Sequence, residues 1–152
     1  MTYHKPVLLA ESIEGLNIKP DGIYVDVTFG GGGHSKEILK NLKNGFLYGF
    51  DQDLDAEKNS IKSNNFKFIR SNFRYIKNFL RLEGVKKIDG LIADLGISSF
   101  QIDTPKRGFA HKHDSILDMR MNVTSDFSAK EILNSYSEVE IARILYDYGD
   151  IK

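Results

Sequence analysis

The chain of 152 residues contains no cysteine, and its 21 positive residues are balanced by 21 negative ones. The lack of cysteine excludes a disulfide framework, a zinc ribbon and a thiolate nucleophile. The lack of excess positive charge argues against a nonspecific nucleic-acid binder, which is usually basic. No apolar run approaches the ~18 residues of a membrane helix, and the apolar stretch at 7–10 is too brief for a secretory signal. These absences predict a cytoplasmic protein without a membrane partner.

The first two-thirds of the chain alternate between strand-like and helical patterns. Runs rich in β-branched and aromatic residues predict four strands, over 23–28, 46–50, 66–70 and 88–93. Apolar residues at helical spacing predict helices over 34–42 and 54–62, and a third whose apolar face includes Phe73. Such alternation predicts an α/β fold of parallel strands, in which ligands bind at the carboxyl ends of the strands.

The pattern changes in the last third of the chain. Residues 98–126 are predicted to be loop-like, and two short helices follow, each indicated by a capping box: Ser128 with Glu131, and Ser137 with Glu140. A long irregular stretch in a domain is usually functional. We therefore expect a separate helical element, with the boundary between 1–101 and 102–152.

Four consecutive glycines, at 30–33, connect the first strand to the following helix. Glycines let a backbone approach a ligand closely, and the helix start adds free amide groups. Three ligand classes fit: a pyrophosphate, a single phosphate, or the carboxylate of an amino-acid-like cofactor. A flexible turn without a ligand is the alternative. The absence of Gly-Lys-Ser/Thr excludes a nucleoside-triphosphate loop.

Acidic and aromatic residues follow the other strands. Asp51 comes 18 positions after Gly33, a spacing typical of an acid that binds ribose hydroxyls; an exposed loop carboxylate or a helix N-cap is the alternative. Phe73 flanks a base, starts an apolar helix face, or does both. Asp94, after the fourth strand, lies where a cofactor would react, unless it merely caps a turn. Together these positions favour an S-adenosylmethionine site over a nicotinamide site, because the turn lacks a clean G-x-G-x-x-G.

Several motifs along the whole chain resemble those of the bacterial-type ribosomal small-subunit RNA cytosine-N4 methyltransferases. In chain order they are His4-Lys5-Pro6-Val7-Leu8-Leu9, the segment from Tyr24 to Ser35, Asp51-Gln52-Asp53, Asp94 to Ser99 with Gln101, Arg107-Gly108-Phe109, Leu117-Asp118-Met119-Arg120-Met121 and Tyr148-Gly149-Asp150. The combination is far more specific than a glycine loop alone.

The resemblance implies a Rossmann-like class I methyltransferase sheet, incomplete here, and the start of a helical insertion domain. Residues 1–101 would then bind S-adenosylmethionine, and 102–152 would help to recognise the substrate. The implied reaction is methyl transfer to the N4 amine of a cytidine in small-subunit ribosomal RNA. Because family members extend well beyond Lys152, the alternative is a truncated, non-catalytic fragment that at most binds cofactor. A homodimer is left open.

The resemblance also implies roles for individual residues. The implied cofactor contacts are Gly32, Gly33, His34, Asp51, Phe73, Asp94 and Gln101. Asp94 is in addition the candidate catalytic acceptor for the amine hydrogens; the alternatives are that backbone carbonyls at 95–97 accept them, or that Asp94 contacts the amino group of the cofactor instead. The implied substrate contacts are Arg107, Phe109 and Arg120, with internal salt bridges, such as Arg120 with Asp118 or Asp114, as the alternative. No metal is expected, since two loop histidines, His111 and His113, are weak evidence for a metal site.

Overall fold

A computed structural model describes residues 6–151 and divides the chain into two compact units, one ending at Gly96 and the other starting at Ile97. The first unit contains a sheet of four parallel strands, which confirms the predicted α/β class. The strands are β1 (Ile23–Asp26), β2 (Phe46–Asp51), β3 (Phe66–Arg70) and β4 (Gly90–Ile92), in the order β3-β2-β1-β4. The predicted boundary after residue 101, which separates functional portions, stays a prediction.

The helices of the first unit are α1 (Leu9–Leu16), α2 (Gly33–Asn41), α3 (Leu54–Glu57) and α4 (Ile76–Leu82), with a 3-10 turn at Phe73–Tyr75 before α4. Those of the second unit are α5 (Ser99–Asp103), α6 (Ala129–Ser135) and α7 (Glu138–Gly149), with a 3-10 turn at Pro105–Arg107. None of the helices within residues 6–151 combines the length and the apolar character needed to cross a lipid bilayer.

Both faces of the sheet are covered, as is usual for parallel sheets. Neighbouring residues of a strand point to opposite faces, so Tyr24 joins one apolar cluster and Val25 the other. One cluster contains Ile38 of α2, and the other contains Leu80 of α4. The two helices thus hold the sheet between them, and its carboxyl edge remains available for a site.

Several predicted elements are shorter than expected. The helix predicted over 54–62 ends at Glu57, and the side chain of Asn59 turns back to donate to the carbonyl of Gly30 at 3.1 Å. The fourth strand spans 90–92 instead of 88–93. The segment at Phe73 is a 3-10 turn, and its phenyl ring is 43% exposed, so the ring does not start the buried face of α4.

Two helices were missed by the sequence-based predictions. Helix α1 carried a signal, since Leu9, Ile13 and Leu16 have helical spacing, and the last two pack on the core. Helix α5 lies in the stretch predicted to be loop-like, and Ser98 and Gln101 form its capping box. The capping boxes predicted at the starts of α6 and α7 are confirmed.

Candidate functional site

The glycine turn lies between β1 and α2, and two of its residues have a left-handed backbone. Gly30 has φ 50° and Gly32 has φ 72°, a region that glycine adopts without steric cost. A Cβ on Gly32 would lie 2.8 Å from the Phe29 ring, and one on Gly33 would overlap the ring of Pro6. Packing within the protein therefore already requires glycine at both positions, and their cofactor contacts stay a prediction.

Asp51 ties the end of β2 to the glycine turn. Its Oδ2 accepts the backbone amide of Gly30 at 2.8 Å, and its Oδ1 accepts the amide of Asp53 at 2.9 Å. Burial raises the pKa of Asp51, although these backbone bonds oppose the shift. The N-cap of α3 is Asp53, which accepts from the amide of Asp55. The alternative of an N-capping role thus applies to Asp53, and not to Asp51.

Asp26 is a buried carboxylate to which the sequence reasoning assigned no role of its own. It accepts the hydroxyl of Ser35 at 2.7 Å and the amide of Thr28 at 3.1 Å. Burial raises the pKa of Asp26, because desolvation disfavours the charged form. These bonds join the end of β1 to the first turn of α2. Its position at the end of a buried strand was the available signal.

Asp94 lies at the carboxyl edge of the sheet, next to β1. Its backbone amide donates to Oγ1 of Thr28 at 2.7 Å, which holds the segment after β4 against the end of β1. Within residues 6–151 no hydrogen bond or ion pair engages its exposed carboxylate. In the described part of the chain, therefore, this carboxylate does not cap a turn, which was the alternative to a role in the site.

A cavity of about 180 Å³ brings Asp94 and His34 together. Its lining consists of Val7, Leu8, Ser12, His34, Ile92, Ala93 and Asp94. The imidazole of His34 is buried, and its Nε2 donates to the carbonyl of Val7 at 3.1 Å. The side chain of His34 is thus engaged by the protein itself, while its predicted cofactor contact stays a prediction.

Phe73 lies just beyond β3, at the same edge of the sheet. The side chain of Asn72 caps this turn through the amide of Arg74 and also donates to Gln52 Oε1 at 3.0 Å. The second bond links the segments after β2 and β3. The exposed Phe73 follows directly on this link, and its contact with a base stays a prediction.

The predicted residues of the second unit are joined by internal contacts. Gln101 is buried, and its Oε1 accepts the amide of Ser98. The buried Arg107 donates to the carbonyl of Arg120 at 2.9 Å, and its guanidinium lies 5.9 Å from the centre of the Phe109 ring. The structure thus brings Arg107, Phe109 and Arg120 together.

Arg120 forms the salt bridge that was named as the alternative to substrate contact. Its Nη2 lies 2.6 Å from Oδ2 of Asp118, and its Nη1 donates to the carbonyl of Ser125 at 2.7 Å. The guanidinium lowers the pKa of Asp118, mainly through this hydrogen bonding. Contact of Arg120 with a substrate stays a prediction. Among the described residues, no group of three or more metal-ligating side chains is assembled.

Two of the relatives are proteins named ribosomal RNA small subunit methyltransferase H. The one from Cytophaga hutchinsonii is 61% identical over 152 residues, which are 99% of this chain and 51% of the relative. The one from Flavobacterium johnsoniae is 55% identical over an alignment of 153 positions, which covers 100% of this chain and 51% of the relative. The chain thus spans about half the length of the curated relatives it matches.

One solved structure, from Anabaena variabilis, carries the name of a methyltransferase from an antibiotic biosynthesis pathway. It is 15% identical to this chain, and its TM-score is 0.37 over 43% of this chain and 26% of that one. That likeness is too low to carry an argument. A sequence model of the MraW methylase family, in contrast, matches residues 1–152. The matched range includes the glycine turn, Asp51 and Asp94, and the chain belongs to the MraW methylase family.

Proposed function

We propose that the protein transfers a methyl group from S-adenosylmethionine to the N4 amine of a cytidine in small-subunit ribosomal RNA. One observation carries the proposal: the exposed Asp94 carboxylate lines a cavity at the carboxyl edge of the sheet, and the same edge carries the glycine turn and Asp51. The shared name of the relatives supports the class of substrate. We expect the reaction to take place in the cytoplasm.

The residues at this edge fit such a cofactor. Backbone amides occupy two of the roughly four acceptor positions of the Asp51 carboxylate, which leaves capacity for ribose hydroxyls. The exposed ring of Phe73 offers a surface for an adenine base. The first amides of α2, at Gly33 and His34, have no partner within the helix and suit a carboxylate. The remaining proposed cofactor contacts are Gly32, Asp94 and, in the second unit, Gln101.

Asp94 is proposed to act on the amine of the target base. Bound S-adenosylmethionine would supply a sulfonium-activated methyl group, and the products of the transfer to N4 would be S-adenosylhomocysteine, the methylated amine and one proton from that amine. The amine is a poor nucleophile because its lone pair is delocalised into the ring. A carboxylate that accepts an amine hydrogen localises that lone pair. The remaining task of the protein is to align the reacting atoms.

Arg107, Phe109 and Arg120 are the proposed substrate contacts of the second unit. Their mutual contacts give Phe109 a fixed support, since the Arg107 guanidinium lies near its ring. A target base taken out of a folded RNA commonly stacks on an aromatic side chain. A phosphate contact by Arg120 would share a guanidinium that already binds Asp118.

The proposal is tested by transfer of labelled methyl to small ribosomal subunits from a strain that lacks the methyltransferase, followed by digestion and identification of the modified nucleoside. In the full-length protein, we expect Asp94→Asn to lower kcat by about 10²- to 10⁴-fold, as for loss of a general base. The Kd for S-adenosylhomocysteine, measured in parallel, tests the proposed cofactor contact of Asp94 separately. Asp21→Asn is the matched control, because Asp21 precedes β1 and lies at the opposite edge of the sheet.

Three results would contradict the proposal at different levels. Normal turnover by Asp94→Asn would refute the role of the carboxylate. A methyl group on another atom of cytidine would refute the N4 assignment. Absence of transfer to small-subunit RNA would refute the function. If the full-length protein transfers methyl and the 152-residue chain only binds S-adenosylhomocysteine, the alternative of a non-catalytic fragment holds for this chain.

A further inference from the structure

The motif near the start of the chain has no part in the function proposed above, although the structure ties it to the glycine turn. His4 and Lys5 lie outside the described residues. Pro6 occupies the space in which a side chain at Gly33 would stand. A substituent at Gly33 would therefore displace the segment that contains Pro6.

A second contact holds the same segment one residue further along. The buried imidazole of His34 donates from Nε2 to the carbonyl of Val7 at 3.1 Å. Two consecutive residues at the start of α2 thus engage two consecutive residues of the segment 6–8. Both contacts join parts of the chain that are about 27 residues apart. They therefore hold the segment 6–8 against the start of α2, at the carboxyl edge of the sheet.

The segment held in this way lines the cavity that contains Asp94. The side chains of Val7 and Leu8 are 57% and 64% exposed, and both belong to the lining. The cavity volume of about 180 Å³ is below the roughly 300–1,000 Å³ of pockets for drug-sized ligands. The cavity is therefore of a size for a single ring, and too small for a whole nucleoside cofactor.

We propose that Val7 and Leu8 form an apolar wall against which the target base lies beside Asp94, and that His34 is the positioning residue that holds this wall. The inference rests on the proposed methyl transfer and names the part of the site that receives the substrate. A flipped base is read by polar contacts to its edge and by apolar contacts to its faces. The wall supplies the apolar contact, and the Asp94 carboxylate supplies the polar one.

The backbone of Leu8 supports a role for its side chain in binding. Leu8 has φ 46°, and Asn17, at the other end of α1, has φ 45°. Asparagine tolerates this left-handed region, whereas leucine adopts it at a cost. The exposed side chain of Leu8 gains little from burial in return. Strain of this kind at the edge of a cavity points to a contact that forms with a ligand.

The backbone strain at Leu8 also makes it possible to change ligand binding without lowering the stability of the fold. Leu8→Gly removes the side chain from the wall and at the same time permits the positive φ, so thermal stability should be equal to that of the wild type or higher. Asn17→Gly is the matched control, since it permits the same φ at the other end of the helix and does not line the cavity.

A second pair of variants tests the positioning role of His34. His34→Phe keeps a ring but removes the donor to Val7, whereas His34→Gln keeps an N–H donor. For each variant of the full-length protein, kcat and KM are measured with small ribosomal subunits from a strain lacking the methyltransferase. The Kd for S-adenosylhomocysteine is measured separately by calorimetry.

We expect Leu8→Gly and His34→Phe each to raise KM for the subunits by about 3- to 10-fold, as for one lost hydrogen bond or a partly buried leucine. The Kd for S-adenosylhomocysteine should stay the same in both, because the proposed cofactor contact of His34 is its backbone amide, which His34→Phe retains. Asn17→Gly should match the wild type, and His34→Gln should lie closer to the wild type than His34→Phe does. If His34→Phe does not fold, Leu8→Gly decides the question.

The inference is overturned if Leu8→Gly has the KM of Asn17→Gly. It is also overturned if the Kd for S-adenosylhomocysteine rises in parallel with KM, because the side chain of His34 and the wall would then support cofactor binding and not substrate binding. A wild-type protein that transfers no methyl group overturns the proposed function and this inference together. Normal transfer with an unchanged KM in Leu8→Gly overturns only the inference.

Discussion

Asp51→Asn exchanges one oxygen for an amino group at the end of β2 and tests the proposed ribose contact. The two carboxylate oxygens accept different backbone amides, from Gly30 at 2.8 Å and from Asp53 at 2.9 Å. An asparagine in either orientation turns its amino group toward one of these N–H donors. The substitution therefore removes one backbone hydrogen bond and also one acceptor position for a ribose hydroxyl.

The size of the effect follows from the charge of the lost acceptor. A hydrogen bond to a charged group contributes roughly 1.5–3 kcal/mol, which corresponds to about a 10- to 150-fold increase in Kd for S-adenosylhomocysteine. Burial also raises the pKa of Asp51 from its ordinary value of 3.8. The ionised carboxylate is therefore lost at a higher pH than usual, and the affinity of the wild type should fall as the pH decreases through that raised pKa.

Calorimetric titration with S-adenosylhomocysteine at a series of pH values measures both effects. We expect weaker binding by Asp51→Asn and a flatter pH profile, because asparagine does not titrate. Asp55→Asn is the control on the same loop-helix segment, since Asp55 pairs with the exposed Lys58 and surface pairs contribute little. If Asp51→Asn binds with the affinity and pH profile of the wild type, Asp51 does not hold the ribose.

Three further predictions concern stability. Burial raises the pKa of Asp26, which disfavours its ionised form in the folded protein. The stability that protonated Asp26 contributes is therefore complete below the ordinary pKa of 3.8 and is lost as the pH rises through the raised pKa. Asp26→Asn should accordingly reduce the fall in urea midpoint with rising pH. Ile38→Ala should lower the free energy of unfolding by about 2–5 kcal/mol, because Ile38 is completely buried against the sheet. Gly108→Ala should destabilise the second unit by more than about 1 kcal/mol, because Gly108 has φ 71° and a Cβ there would lie 2.6 Å from the carbonyl oxygen of Ile116.

Each of these predictions has a control in the same chain. Asp21→Asn, at an exposed carboxylate, is the control variant for the urea titrations of Asp26→Asn. Ile38→Val should cost only about 0.5–1.5 kcal/mol. Gly84→Ala has a similar φ of 74° but no atom within 4 Å of the added Cβ, so it measures backbone strain alone. Equal losses in Gly84→Ala and Gly108→Ala would contradict the steric argument.

The secondary structure that follows from local patterns was largely predictable. The four strands were recognised because β-branched and aromatic residues cluster in short runs between turn residues, and the structure has strands at each place. The capping boxes at Ser128 and Ser137 were readable because a serine and a glutamate three positions later bond to each other's backbone. Such signals depend only on residues close together in the chain.

The boundaries of several elements were not predictable in this way. Helix α3 ends at Glu57 while Asn59 bonds to Gly30, a residue 29 positions away. Phe73 begins a 3-10 turn that is capped by Asn72, and the side chain of Asn72 also donates a hydrogen bond to Gln52. In both cases a side chain forms a hydrogen bond with a residue that is distant in the sequence, and patterns over a few neighbouring residues do not reveal such a bond.

The sequence by itself determined the class of the fold and indicated the places where we propose a site, because glycines and acidic residues follow buried strands at recognisable spacings. Only the tertiary structure decided what those residues contact. It pairs Asp51 with the amide of Gly30, it joins the amide of Asp94 to Thr28 across 66 positions, and it sets Pro6 against Gly33. The physical reason is that periodicity and capping act between neighbours, whereas steric fit and hydrogen bonding across a sheet edge depend on pairs that the chain brings together only when it folds.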